Sequence, residues 1–205
     1  MEKDIAKYLL ETKAVFLNPK DPFTWASGIK SPIYCDNRIL LSFPEIRSKV
    51  IDAFVTLIKE KFPQADCIAG VATAGIAHAA LIAEKMNLPM IYIRSSAKDH
   101  GRSKQIEGKL KPGSKLVVIE DLISTASSSL KAISALDDED VEVLGLAAIF
   151  TYGLAKAQDN LEKAKITAFT LSNYEALIEV ALQENFIEEA DMQTLKTWKQ
   201  DLVSA

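Results

Sequence analysis

Leu116-Val117-Val118-Ile119 is an unbroken apolar run, mostly β-branched, that ends on two adjacent carboxylates, Glu120 and Asp121. A strand that is apolar on both faces needs cover on both faces, the condition of a parallel strand inside an α/β protein. The surrounding pattern agrees. Cys67-Ile68-Ala69, Met90-Ile91-Tyr92-Ile93, Val141 to Phe150 and Ile166 to Leu171 read as further strands, and helical periodicity fills the gaps at Ile76 to Met86, Ser127 to Leu136 and Leu154 to Ala164. Strands alternating with helices predict an α/β fold on a parallel sheet of five strands flanked by helices.

Ahead of that core, Lys3 to Lys13 place Ile5, Tyr8 and Leu9 at helical spacing, and after Pro44 the residues Ile46, Val50, Phe54, Leu57 and Ile58 repeat it until Phe62-Pro63. Between them, Phe23 to Arg38 mixes aromatic and β-branched residues around Ser27-Gly28 and Ser31-Pro32, which predicts two short strands about a turn, a small N-terminal hood. Two amphipathic helices, about Tyr174 to Gln183 and Glu188 to Val203, follow the last strand. Residues 1–205 are expected to form one domain, with residues 1–40 supplying the first helix and the hood. From Arg94 to Gly108 charged and small residues replace the apolar pattern, as in a functional surface loop.

A chain that is 48% hydrophobic and 25% charged lies far from disordered or collagen-like compositions. Its net charge of -4 disfavours broad electrostatic capture of nucleic acid. Cys35 and Cys67 match no metal-binding spacing, so reduced thiols are expected. The first residues lack the apolar core of a signal peptide and no apolar run is long enough to span a bilayer, so a cytoplasmic location away from any membrane is expected.

The chemistry concentrates where the central strand ends. In open α/β sheets ligands bind beyond the carboxyl ends of strands. There Glu120 and Asp121 can accept hydrogen bonds from sugar hydroxyls, while the hydroxyls and amides of Ser124, Thr125, Ser127 and Ser128 suit a phosphate. Ordinary capping of the next helix is the plainer reading of those hydroxyls. Gly70-Val71-Ala72-Thr73-Ala74-Gly75-Ile76 joins a strand to a helix with residues small enough for backbone to approach anionic oxygens, and fits neither a Walker A loop nor a dinucleotide fingerprint. Arg94-Ser95-Ser96-Ala97-Lys98-Asp99-His100-Gly101 sets basic groups on the loop after another strand. His78, among alanines in a helix, reads as structural.

The segment from Val117 to Ser128 resembles the phosphoribosyl-diphosphate motif of type I phosphoribosyltransferases, and Lys98-Asp99-His100-Gly101 resembles the catalytic loop of the orotate phosphoribosyltransferases among them. The hood from Phe23 to Arg38 is similar to that family's substrate-binding segment. The resemblance implies the type I phosphoribosyltransferase fold and the transfer of a phosphoribosyl group from phosphoribosyl diphosphate to orotate, with release of diphosphate. It implies Mg²⁺ held mainly through the substrate, with no dedicated protein metal site, and a homodimer whose loop reaches the neighbouring active site.

By the same resemblance Lys98, His100 and Asp121 are catalytic. Phosphoribosyl diphosphate falls to Arg94, Lys98, His100, Glu120, Asp121, Leu122, Ile123, Ser124, Thr125, Ala126, Ser127 and Ser128, with Thr73 and Ala74 on the diphosphate side. Orotate falls to Ser124, Ser27, Gly28 and Tyr34, supplemented by Arg38. The chain departs from the family where glycine usually stands at Ala126 and often at Ser127, where lysine often stands at Ala26, where a second base stands at Ser95, and where an arginine for the orotate carboxylate stands at Tyr152. Two alternatives remain: another base specificity on the same ribose-phosphate motif, decided by comparing acceptor bases, and a non-catalytic regulator that senses phosphoribosyl diphosphate, decided by nucleic-acid binding without turnover.

Overall fold

The computed structural model describes residues 1–24, 30–95 and 105–204. Helix α1 (Glu2–Glu11) leads into four short strands, β1 (Val15–Leu17), β2 (Phe23–Thr24), β3 (Lys30–Ser31) and β4 (Ile33–Cys35). The hood is therefore two antiparallel ribbons, β1 on β4 and β2 on β3, rather than the single pair expected from sequence. Ser31 explains the division: its side-chain oxygen both donates to Ile33 O and accepts from Ile33 N, so the chain turns at Pro32 and starts a new strand. A 3-10 turn (Asn37–Ser42), capped by the Asp36 carboxylate on Arg38 N, then delivers the chain to α2 (Pro44–Lys61).

The core follows as β5 (Cys67–Val71), α3 (Ala74–Met86), β6 (Met90–Ile93), β7 (Ile106–Glu107), β8 (Ser114–Ile123), α4 (Ser127–Ile133), β9 (Val141–Thr151), α5 (Ala155–Ala164), β10 (Ala168–Asn173), α6 (Tyr174–Gln183) and α7 (Glu189–Ser204). The sheet runs in the order β10-β9-β8-β5-β6-β7. Five of its strands are parallel, as expected, and a sixth, β7, is antiparallel on β6. That sixth strand lies inside the segment read from sequence as loop. Two residues are too short for an alternating pattern to register.

Period-two alternation splits the core. Val117 and Ile119 face a cluster completed by α1, α2, α3 and α6, whereas Leu116 and Val118 face a cluster completed by α4 and α5. All four of these strand residues have no exposed surface, as a central strand covered on both sides requires. Helix α7 is tied back to the hood. Trp198 donates from its indole nitrogen to Lys30 O of β3 at 3.0 Å, and its ring packs on Tyr152 and Tyr174. No helix among the described residues is long and apolar enough to cross a membrane.

His78 on α3 is fully enclosed, and neither ring nitrogen has a hydrogen-bond partner among the described residues. Burial holds its pKa down at about 4 against an ordinary 6.5. The folded state therefore keeps this imidazole neutral where the unfolded chain would protonate it. Its contribution to stability is complete above about pH 6.5 and is lost as pH falls toward 4, amounting to roughly 3 kcal/mol over that window. Replacing His78 with Leu should flatten the acid limb of stability against pH, read by denaturant unfolding at pH 7 and pH 5; equal slopes for parent and variant would remove this account.

Candidate functional site

Chain direction across the sheet reverses between β5 and β8. From β5 the chain moves outward to β6, and its next parallel strand, β8, lies on β5's other side. Such a switch point leaves a crevice at the carboxyl ends of the two strands, because the connections that follow them diverge. A cavity of about 480 Å³ opens there. Ala72, Thr73 and Ala74 wall it from the β5 side, Glu120, Asp121, Leu122, Ser124 and Ser128 from the β8 side, and Arg94 from the end of β6. Larger cavities of about 520 and 580 Å³, beside α5 and between α6 and α7, do not set two adjacent carboxylates beside serine or threonine hydroxyls.

Glu120 and Asp121 are held differently. Glu120 is nearly buried, and its carboxylate accepts from the Ser129 hydroxyl at 3.2 Å and from Asp121 N at 3.1 Å. Burial first, and then the Asp121 charge, push its pKa well above the ordinary carboxylate range. Burial also raises Asp121, opposed first by a hydrogen bond from the Glu120 carboxyl and then by hydrogen bonds from main-chain amides and by the nearby Arg38 guanidinium. Two carboxyl groups are thus kept close together at the floor of a cavity, compensated only in part by Ser129, main-chain amides and Arg38. An arrangement of that kind stores repulsion that a hydroxyl-rich or cationic ligand relieves.

The turn after β8 is fixed from outside. Thr151 on β9 donates from its hydroxyl to Ile123 O at 3.0 Å, and Asn160 on α5 donates to Thr125 O at 2.9 Å. Thr125 donates to the Ser127 hydroxyl at 3.1 Å. Ala126 adopts φ 61°, ψ 0°, the left-handed region, and its methyl is buried against the α4/α5 cluster. That backbone costs an alanine roughly 1 kcal/mol, which burial of one methyl offsets by about 0.8 kcal/mol. The position where the family resemblance leads one to expect glycine therefore accepts alanine nearly without penalty.

Of the residues singled out from sequence, Thr73, Ala74, Arg94, Glu120, Asp121, Leu122, Ser124 and Ser128 line this one cavity. Ile123 and Ala126 belong instead to the core beneath it, and Thr125 and Ser127 bond to each other and to Asn160 beside it. Tyr34 stands on the hood, 44% exposed, with its ring 5.9 Å from that of Phe23. Arg38 forms a two-pronged pair with Asp36 at 2.7 and 2.9 Å, which holds the Asp36 carboxyl below its usual range. Tyr152 is buried against Phe150 and Trp198. Ser27, Gly28, Lys98 and His100 lie outside the described residues.

Sequence reading missed several contributors. Gln105 and Lys131 line the cavity, and Gln105 locks the base of the basic loop: Arg94 N donates to Gln105 O at 2.8 Å while Gln105 Nε2 donates back to Arg94 O at 3.1 Å. Asn37, Ser129 and Asn160 act on the site through single polar contacts. No periodicity or spacing marks such residues, because one buried amide or hydroxyl imposes no pattern on its neighbours.

A phosphoribosyl transferase domain is matched by residues 37–185. The orotate phosphoribosyltransferase of Listeria monocytogenes serotype 4b is 56% identical over 201 residues, spanning 98% of this chain and 96% of the relative. The orotate phosphoribosyltransferase of Bacillus subtilis is 54% identical over 98% of this chain and 93% of its own length. Among solved structures, orotate phosphoribosyltransferase from Aeropyrum pernix superposes with a TM-score of 0.73 at 25% identity, covering 85% of this chain and 97% of that one. With the sheet order, the acid pair at the switch point and full-length identity above one half all in agreement, the chain belongs to the orotate phosphoribosyltransferases of the type I phosphoribosyltransferase family.

Proposed function

We propose that the cavity between β5 and β8 is where this chain carries out its family's step in pyrimidine biosynthesis, moving the phosphoribosyl group of phosphoribosyl diphosphate onto orotate to give orotidine 5′-phosphate and diphosphate. One observation carries the assignment of the cavity: the Glu120–Asp121 pair, the Thr73–Ala74 connection and Arg94 converge on it from three different strands. In this reading Glu120 and Asp121 receive the ribose hydroxyls, the turn from Ser124 to Ser128 takes the 5′-phosphate, and Thr73, Ala74 and Arg94 face the diphosphate. Tyr34 and the Ser27-Gly28 segment cover the base, which Ser124 contacts from the sugar side.

Displacement at the anomeric carbon develops negative charge on the departing diphosphate. Lys98 and His100, on the loop whose stem Arg94 and Gln105 fasten, neutralise that charge and help exclude water from the electron-poor sugar. Orotate phosphoribosyltransferases generally use Mg²⁺, and the carboxylate and hydroxyl oxygens at the cavity suit a hard cation. Asp121 would face it from the protein side while the substrate supplies most of its ligands. When bound, the cation reduces repulsion between the anionic groups. The functional unit is a homodimer in the cytoplasm, with residues 1–205 acting as one catalytic domain.

An absorbance assay for orotate consumption with phosphoribosyl diphosphate and Mg²⁺ tests the reading, with uracil, hypoxanthine and adenine as competing acceptors. Turnover of orotate alone is the expected result; a different preferred base, or no turnover, would overturn it. Lys98→Ala should lower kcat at least about tenfold, since removing one charged interaction from the transition state raises the barrier by roughly 1.4 kcal/mol or more. A kcat equal to the parent's would remove the loop from the chemistry.

A further inference from the structure

Beyond Ile119 the central strand outruns its neighbour. The pairing of β5 with β8 ends at Gly70 and Ile119, so the two residues that carry the acids continue past the last β5–β8 pair. Both polar groups of the Asp121 main chain are nonetheless bonded, and by side chains. Its N–H donates to the Glu120 carboxylate at 3.1 Å, and its carbonyl accepts from Asn37 Nδ2 at 2.8 Å. Asn37 lies 84 residues earlier, at the first position of the 3-10 turn that follows the hood, and has no exposed surface. Its other amide atom is occupied as well: Oδ1 accepts from the Cys35 thiol on β4 at 3.4 Å. The Asp121 carbonyl, which can only accept, selects the orientation of the amide and leaves Oδ1 toward the Cys35 thiol.

We propose that Asn37 is a positioning residue for the reaction, a buried strut that fixes the Asp121 peptide relative to the hood and so sets the distance between the sugar-binding and base-binding faces. A surface side chain could not do this, because its own rotamer freedom would exceed the tolerance of the contact. Asn37 is enclosed, bonded at both amide atoms and held to Asp121 through main chain rather than through a mobile side chain, so a shift of the hood is transmitted to the strand end. Nucleophile and anomeric carbon must be held near contact for displacement, and misplacement by about 1 Å is costly to rate. Asn37 touches neither reactant; its effect passes through Asp121.

This inference rests on the assignment of Asp121 to the ribose, and the test separates the two. Asn37→Asp preserves shape but replaces the N–H donor by an oxygen facing the Asp121 carbonyl, whereas Asn37→Ala removes shape and donor together. Steady-state kinetics with both substrates varied, and thermal unfolding of each variant, are the measurements. Both substitutions should lower kcat at least about tenfold, the effect of removing one buried hydrogen bond, with KM for orotate changed less than about twofold. Asn37→Asp should be no milder than Asn37→Ala, a result that simple filling of space does not produce.

A kcat for Asn37→Asp within twofold of the parent, in a protein whose Asp121→Asn variant is strongly impaired, overturns the strut while leaving the ribose assignment standing. Parent-like kinetics for Asp121→Asn would instead remove the assignment on which the strut depends. If melting shows that an Asn37 variant does not fold, Cys35→Ala reads the same contact by removing the second tether of the amide. A loss in kcat of a few-fold is then expected, and an unchanged kcat counts against the proposal.

Discussion

Adding one methyl group at Gly75 should disable the enzyme and destabilise it together. Gly75 lies in the first turn of α3, and a Cβ built on it would sit 2.3 Å from Ile119 O and 3.2 Å from Ile119 C. Both atoms are main chain of the central strand, so no side-chain rotation can relieve the overlap. Helix α3 would have to lift off β8 at the point where Thr73 and Ala74 on one side and Glu120 on the other frame the cavity. Overpacking of this kind costs roughly 3 kcal/mol when backbone must move. For a chain of this size that corresponds to a fall in Tm of about 6 to 12 °C. Gly75→Ala should show that fall by calorimetry, with at least a tenfold rise in KM for phosphoribosyl diphosphate. A variant that melts and turns over like the parent would show that the close approach of α3 to β8 is not needed.

Neutralising Asp121 should separate stability from activity. Burial and the charge of Asp121 both raise the Glu120 pKa, so the pair opposes folding at neutral pH. A carboxyl whose folded pKa is raised stabilises fully only below its unfolded pKa and loses that contribution as pH climbs toward the folded value. Asp121→Asn removes the neighbouring charge and should leave the free protein at least as stable as the parent near pH 7. On the proposed assignment the same change removes the charged acceptor of two ribose hydroxyl hydrogen bonds. Two charge-assisted interactions at about 1.4 kcal/mol each imply a fall in kcat/KM of roughly 100-fold. Loss of activity that merely tracks loss of folded protein would contradict this division.

The central strand was legible because its chemistry is continuous: four apolar residues, two acids and a hydroxyl-rich turn leave few folds open. The five parallel strands were legible for the same reason. The hood was read only in outline, since its strands of two and three residues carry too little alternation to reveal which pairs with which. The acid pair, Thr73, Ala74, Arg94, Ser124 and Ser128 could be placed together from local motifs, each adjoining the end of a strand. Gln105, Lys131 and Asn37 could not, because their place at the cavity follows from the meeting of segments far apart in the chain. Ala126 shows a further limit. A departure from glycine reads as a defect until burial of its methyl is known.

The bond from the Trp198 indole to Lys30 O spans 168 residues of chain. During synthesis at about 5 to 20 residues per second, the hood emerges roughly 10 to 30 s before the helix that secures it. Through that interval β2 and β3, a ribbon of two residues on each side, have only one another to pair with. The β2–β3 ribbon is therefore among the first parts of the protein to be made and among the last to be finished, and a nascent chain halted before α7 should hold its sheet while leaving that ribbon unformed.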